Sequence, residues 1–345
     1  MTEEKNSTNI RLREAYSRPP VLKNKEGEER KTGFEFEFTG LELNETARLL
    51  QSLYRGTIVE LSTYKVQVKD TELGNFSIEL DARLFQDKKY EEFLDKIGVD
   101  VGKLKNKNKF EERLRTMASS VVPYEIITAP IPFSLFDKLD ELIFKMRQQK
   151  AKGTGSSFLH AFGLHLNPGI PDDSPETILN FLKAYVLLDP WIRKDAEIDL
   201  SRRLSPFINE FQKDYVKRIL DPNYNPDQEQ LIRDYINYGN TRNRPLDMLP
   251  LFMHLDKELV QSLTNDKRIS ARPAFHYRLP DFSIEDLSWT IAGEWNRWVL
   301  VEELASDTKG LRQYAREYLK MKEEMLFGSE SKWTKLMQRW VSSLE

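Results

Sequence analysis

The segment GFEFEFTG (residues 33–40) alternates apolar and acidic residues without interruption. An alternation of period two predicts a strand whose phenylalanines face a core while Glu35 and Glu37 face the opposite side. Two neighbouring carboxylates repel each other unless a cation compensates their charge. Magnesium prefers oxygen ligands, so the strand predicts a magnesium-binding face, with a solvated strand face as the alternative.

Two further segments carry acidic residues in the same way. In NFSIELDARL (75–84), Phe76 and Ile78 share one face, and Glu79 and Asp81 share the other. In PYEIITAPIPF (123–133), Glu125 is surrounded by apolar residues, where a carboxylate requires a cation or strong hydrogen-bond donors. We therefore predict Glu79 and Glu125 as further metal ligands, again with a solvated face as the alternative for Glu79.

A histidine-containing segment, SFLHAFGLHLNPG (157–169), is a further strand candidate. His165 and Asn167 share a face with the small residues Ala161 and Gly163, which suggests a surface that a ligand approaches closely. His160 falls on the apolar face and is predicted to be a packed core histidine. We predict a cofactor-binding role for His165 and Asn167.

Basic residues cluster in two later segments. The strand candidate ARPAFHYRLPD (271–281) places Arg272, His276 and Arg278 on one face, as expected of a clamp for phosphate or carboxylate groups. Cross-strand ion pairing with the acidic strands is the alternative. The loop YGNTRNRPLD (238–247) adds Arg242 and Arg244, which either bind the cofactor or are solvated turn residues.

The composition excludes several classes of function. The net charge of −3 is nearly balanced, which leaves no basic footprint for nucleic acid and no polybasic membrane anchor. The chain has no cysteine, which excludes disulfides, thiolate metal sites and cysteine nucleophiles. The Walker A, dinucleotide-binding and HExxH motifs do not occur. The first twenty residues have no apolar stretch of the kind found in signal peptides, so we expect a cytoplasmic protein without a membrane partner.

The order of the segments predicts the fold class. Strand patterns alternate irregularly with helical ones and carry polar residues on one face, which is typical of an α+β fold with an antiparallel sheet. Residues 1–30 are polar and are predicted to be a flexible leader. Residues 286–345 are predicted to be a helical, tryptophan-rich extension that packs on the back of the sheet or, alternatively, binds a partner.

The chain resembles the amidoligase family in the order of five segments, which are GFEFEF, an acidic strand, YEIITAPI, GLHLNPG and HYRLPD. This family belongs to the carboxylate–amine ligase superfamily, which includes glutamine synthetase and glutamate–cysteine ligase. The resemblance implies a catalytic domain over residues 31–285 with a curved, glutamine-synthetase-like antiparallel sheet. It also implies an ATP- and Mg²⁺-dependent enzyme that joins a small-molecule or peptide carboxylate to an amine through an acyl phosphate. A homo-oligomer is compatible with it.

The resemblance also implies roles for individual residues. Glu35 and Glu37 correspond to metal ligands, and Glu125 to a ligand at the second metal or on the amine side. His165 resembles the strand histidine that contacts metal or nucleotide phosphate. Arg278 resembles the arginine that steadies the transferring phosphoryl group.

Two departures from the family pattern bear on activity. His276 stands where related enzymes carry an acidic metal ligand, and because histidine binds magnesium reluctantly, one metal site is expected to be weaker or differently composed. In the acidic second strand, either Glu79 or Asp70 could be the residue that matches the acidic group of the family, and we prefer Glu79. A metal-dependent enzyme of another class, or an inactive relative that binds nucleotide or a partner, remains an alternative.

Overall fold

The computed structural model describes residues 15–80, 123–154, 162–199, 208–325 and 328–344. Its strands are β1 (Lys31–Phe38), β2 (Thr57–Ser62), β3 (Lys65–Thr71), β4 (Gly74–Leu80), β5 (Tyr124–Thr128), β6 (Ile131–Pro132), β7 (Leu164–Pro168), β8 (Leu246–Asp247) and β9 (His276–Tyr277). Its α-helices are α1 (Leu43–Tyr54), α2 (Lys138–Gln148), α3 (Pro175–Asp195), α4 (Lys213–Leu220), α5 (Gln228–Asn237), α6 (Leu249–Leu255), α7 (Lys257–Leu263), α8 (Ile291–Ser306), α9 (Thr308–Glu324) and α10 (Ser329–Ser342).

The nine strands form one antiparallel sheet. Its order is β2-β3-β4-β5-β1-β7-β9-β8, and β6 pairs with the beginning of β1. The segment 33–40 therefore supplies an inner strand, with Glu37 opposite Glu125 on β5 and Glu35 opposite His165 on β7. The predicted antiparallel sheet, combined with helices, is confirmed.

The apolar face of the sheet is buried. Phe34, Phe36 and Phe38 are fully inaccessible to solvent, as the period-two alternation predicts. Phe34 meets Phe136 edge to face at 5.1 Å between ring centroids, and Phe36 lies 5.6 Å from Phe282. This packing fixes the register of β1 and thereby points its glutamates to the other face.

Helices cover the apolar face along its length. Helix α1 begins with a capping box formed by Glu42 and Glu45, and its last residue, Tyr54, stacks on Phe76 of β4. Helix α3 begins at the N-cap Ser174, whose side chain accepts a hydrogen bond from the Thr177 amide.

The helices after residue 285 pack on the same core. Trp298 of α8 is fully buried, with its ring 5.4 Å from both Phe275 and Tyr277 at the end of the sheet. In α10, the Trp333 indole donates a hydrogen bond to the Leu187 carbonyl of α3. Trp298 and Trp333 thus belong to the hydrophobic core.

The segment from residue 15 to residue 30 contacts α8. The Trp295 indole donates to the Ser17 carbonyl, and Arg30 forms a buried ion pair with Glu302 at 2.7 Å. The division of the chain at residues 30 and 285 stays a prediction.

Some predicted features lie outside the described residues. They are His160, Ala161, Asp81 and the segments near 87–96 and 107–118, whose charged, amphipathic patterns predict two helices. Others differ from expectation. Within the segment 271–281, continuous strand pairing is limited to His276–Tyr277, with single bridges at Ala274 and Asp281, because Pro273 and Pro280 cannot donate ladder hydrogen bonds. None of the helices in the described ranges is long and apolar enough to cross a membrane.

Candidate functional site

The sheet face opposite the phenylalanines collects most of the predicted site residues. The register places on this face residues from six strands and their ends: Glu79, Glu125, Glu35, Glu37, His165, Asn167, Asp247, His276 and Arg278. Arg272, just before β9, reaches the same face through its contact with Glu35. Side chains that are up to 237 residues apart in the chain thus meet on one surface.

Three carboxylates form a row across adjacent strands. Glu125 is the direct partner of both Glu37 on β1 and Glu79 on β4. Glu125 is only 3% exposed, and Glu79 is paired with Lys65 at 2.6 Å. Because like charges directly opposite each other destabilise a sheet, a divalent cation at this row would relieve their repulsion. Asp70, the alternative to Glu79, lies exposed at the β3–β4 hairpin.

Glu35 accepts hydrogen bonds from two donors, Asn167 and Arg272, and also contacts His165. Its Oε2 lies 3.0 Å from His165 Nδ1. Its Oε1 accepts hydrogen bonds from Asn167 Nδ2 at 3.0 Å and from Arg272 Nη1 at 2.5 Å. Arg272 also donates to Asn167 Oδ1 at 2.9 Å. The ion pairing that was the alternative role for the arginines is thus present at Arg272.

Burial and these contacts shift the pKa values of Glu35 and His165. Burial alone would raise the pKa of Glu35, but His165, His276 and Arg272 outweigh it and hold that pKa well below its usual range. Burial lowers the pKa of His165 to about 4, against the opposing influence of Glu37 and Glu35. At neutral pH the carboxylate is therefore ionised and the imidazole is neutral, which is the state that can ligate a metal.

His276 and Asp247 form a second buried pair. Nδ1 of His276 lies 3.6 Å from Asp247 Oδ2, and its Nε2 lies 3.8 Å from Glu35 Oε2. Within the described residues, neither ring nitrogen of His276 makes a hydrogen bond, nor does Oδ2 of Asp247. Buried polar atoms without hydrogen-bond partners are costly, so a water molecule or a ligand that bonds to these atoms would be favourable.

The loop 238–247 contacts the end of β9 through the Arg242 carbonyl and the helical side of the sheet through the Arg244 side chain. Arg278 Nη1 donates to the Arg242 carbonyl at 2.7 Å, which joins this loop to the end of β9. Arg244 instead packs over the Phe211 ring and donates to the Glu210 carbonyl, on the helical side of the sheet. Its predicted cofactor-binding role stays a prediction that these contacts do not favour.

Asp247 is a candidate site residue that the sequence reasoning did not identify. The pattern that identified Glu125, an acidic residue between apolar neighbours, also occurs at Asp247, which lies between Leu246 and Met248. The strand that carries it, β8, has two residues, which is too short for a periodic pattern.

Among the described residues, this face has two groups that could hold a metal ion. One is Glu37, Glu125 and His165, and the other is Glu35, His165 and His276, each with ligand atoms within 4.8 Å of one another. The first group contains two carboxylates, and Glu79 is next in the row. These oxygen ligands suit magnesium, and the buried Nε2 of His165, which has no hydrogen-bond partner in the described chain, lies 3.5 Å from Glu37 Oε1.

Comparison with known proteins identifies a family. The sequence profile described as "Putative amidoligase enzyme" matches residues 28–300, which include the whole candidate site and most of α8. No match was found among curated proteins or among solved structures. Because the profile covers most of its length, the chain belongs to the amidoligase enzyme family.

Proposed function

We propose that this protein is an ATP- and Mg²⁺-dependent ligase that joins a carboxylate to an amine. In the proposed reaction, a carboxylate oxygen attacks the γ-phosphorus of ATP, which releases ADP and gives an acyl phosphate. The amine then attacks the acyl carbon, loses a proton and displaces inorganic phosphate. Membership of the amidoligase family supports a ligase. We also propose that the sheet is of the glutamine-synthetase type and that the protein is cytoplasmic.

The observation that carries this proposal is that one sheet face holds both a row of carboxylates and two arginines. The carboxylates of Glu79, Glu125 and Glu37 are in register at one end, and Arg272 and Arg278 lie toward the other. Phosphoryl transfer requires oxygen ligands for a metal and fixed positive charge near the transferring group. Magnesium bound at the acidic row would neutralise charge on the phosphate oxygens.

The remaining side chains would orient the reacting groups. The Gly163 amide donates a hydrogen bond to Glu37 Oε2 at 2.6 Å, which fixes the direction of that carboxylate. Arg278 is half-buried and is anchored to the Arg242 carbonyl by Nη1. A guanidinium restrained in this way is suited to charge that develops during phosphoryl transfer, because it needs little reorganisation.

We predict that Arg278→Ala lowers kcat about 10²–10³-fold and changes the Kd for ATP only a few-fold. The physical reason is that a transition-state contact affects the rate rather than ground-state binding. Steady-state kinetics and calorimetry on the same preparation measure the two quantities. Equal losses in kcat and in ATP affinity would instead assign Arg278 to ground-state binding.

The proposed function is tested by the dependence of ADP formation on both substrates. Purified protein is incubated with ATP, Mg²⁺ and pools of carboxylates and amines, with each pool omitted in turn. We expect ADP release that requires both pools and that stops when EDTA is added. ADP release with neither pool would indicate a phosphatase, and release with a single pool a phosphotransferase.

A second candidate function is an inactive relative that binds nucleotide or a partner. His276, in place of an acidic ligand, and the engagement of Glu35 by Arg272 favour it. In that case no pair of pools yields ADP, and ATP binding separates the nucleotide-binding relative from the partner-binding one.

A further inference from the structure

We propose that a cavity on the outer side of the helical layer is a second ligand site, which binds a phosphate monoester through Lys183, Arg312 and Arg316. The cavity lies between α3, α9 and the loop that joins α4 to α5, and its volume is about 500 Å³. Cavities of this size are typical of sites for small organic molecules. The proposal does not depend on the ligase reaction, because none of these residues lies on the sheet face.

Helix α3 separates the cavity from the sheet. On the inner side of this helix, the Phe181 ring stacks on the Phe275 ring at 4.5 Å between centroids. Lys183 follows two residues later, which is a rotation of about 200° around the helix axis, so it points away from the sheet. A molecule bound at Lys183 is therefore separated from the candidate site by α3 and by the apolar layer of the sheet.

Three cationic side chains line the cavity. Lys183 projects from α3 and is half-buried, and Arg312 and Arg316 project from α9 and are exposed. In the part of the chain that the structure describes, none of the three side chains forms an ion pair or a hydrogen bond. Like charges four residues apart on one helix, as at Arg312 and Arg316, repel each other. A bound anion would relieve this repulsion.

Two carboxylates near the cavity do not neutralise these cations. Glu176 is the one acidic residue among the described lining residues, and it lies two turns before Lys183, roughly 10 Å along the axis of α3. Asp221 follows the end of α4, and its Oδ1 accepts a hydrogen bond from the Asn223 amide at 2.8 Å. Burial and the charge of Arg312 lower the pKa of Lys183, against the opposing influence of Asp221 and Glu176. An anionic ligand would therefore stabilise the charged form of Lys183.

The polar lining selects the class of ligand. Three positive side chains and one negative side chain give the cavity a net formal charge of +2, which complements the charge of about −1.5 to −2 of a phosphate monoester at neutral pH. Arginine binds phosphate through two parallel hydrogen bonds. The side-chain amides of Asn180 and Asn225 line the same cavity and can donate hydrogen bonds to further phosphate oxygens.

The apolar lining suits the organic part of such a ligand. Leu179 of α3, Leu220 of α4, and Leu311 and Ala315 of α9 are all buried and line the cavity. An apolar group that is attached to the phosphate would lose contact with water when it packs on these side chains. A phosphate monoester with an apolar body should therefore bind more tightly than inorganic phosphate.

The test is calorimetric titration of the full-length protein with phenyl phosphate, in EDTA and at constant ionic strength. We expect one site per chain and binding at least about 10-fold tighter than that of inorganic phosphate. Lys183→Met keeps the apolar stem of the side chain and should weaken binding at least about 10-fold. The double variant Arg312→Gln/Arg316→Gln should weaken it at least about 100-fold. Equal or tighter binding of benzoate, which has the same ring and a single charge, would overturn the assignment to phosphate.

Three control variants, each checked for folding by circular dichroism, separate this site from other causes. Lys309→Gln/Lys320→Gln removes two exposed charges from α9 outside the cavity lining and should change the Kd less than about three-fold. Glu176→Gln should strengthen binding, because it removes the acidic residue of the lining. Arg278→Ala, on the sheet face, should leave the Kd unchanged. No binding of phenyl phosphate, full affinity in Lys183→Met and in the double arginine variant, or loss of binding in Arg278→Ala would overturn the proposal.

Discussion

Glu125→Gln is expected to lower amide formation by at least about 10³-fold while the protein remains folded. Glu125 is nearly fully buried and lies opposite both Glu37 and Glu79, so it is the central carboxylate of the acidic row and the ligand on which the proposed magnesium site depends most. In the proposed mechanism, removal of this charge would weaken the hold on magnesium, because an amide oxygen is a poorer ligand than a carboxylate, and would leave the developing phosphate charge less neutralised. Removal of one of three repelling charges should also maintain or raise the melting temperature.

The assay for this prediction is coupled ADP release with the active pair of pools, beside thermal unfolding followed by circular dichroism. Glu60→Gln is the matched control, because Glu60 belongs to β2 of the same sheet and is exposed. It should retain wild-type activity. An active Glu125→Gln variant would place the metal elsewhere on the protein.

Glu302→Gln should reduce the free energy of unfolding by about 3–5 kcal/mol, the typical cost of removing one partner from a buried ion pair. The two oxygens of Glu302 accept hydrogen bonds from both terminal nitrogens of Arg30, at 2.7 and 2.8 Å, and Oε1 also accepts one from the Trp298 indole. Glu302 is completely buried, so the variant would leave the Arg30 guanidinium without a counter-charge in a position that water does not reach.

Urea unfolding measures this cost. The control is Asp173→Asn, which removes the exposed partner of Lys25 and should cost less than about 1 kcal/mol. A loss below about 1 kcal/mol for Glu302→Gln as well would mean that the segment around Arg30 is not held to α8 by this pair.

The strict alternation of apolar and polar residues predicted correctly which strand side chains face the core. In β1 and β4, apolar residues at every second position fixed which side chains enter the core, because a shift by one residue would reverse the faces. The same rule placed His165 and Asn167 on the face of Glu35, where the structure has them. Strand faces could therefore be predicted without knowledge of the strand order.

Contacts between distant parts of the chain could not be predicted in this way. Cross-strand ion pairing was an alternative for Arg272, but its particular partner, Glu35, depends on strand order and loop geometry, which leave no local pattern. Asp247 lies on a two-residue strand. Arg244 lies in the same loop as Arg242, and no local pattern shows that its side chain packs on the helical side of the sheet. Helices α6 and α7 were not predicted, because each has only seven residues and no long periodic pattern.

The central claim is that ATP and magnesium bind to the acidic sheet face. The most direct measurement is a calorimetric titration of the purified protein with ATP, with and without millimolar Mg²⁺, beside the double variant Glu37→Gln/Glu125→Gln. We predict binding that requires Mg²⁺ and that is lost in the double variant. ATP binding of equal strength in the double variant, or no binding to the wild-type protein, would contradict this claim.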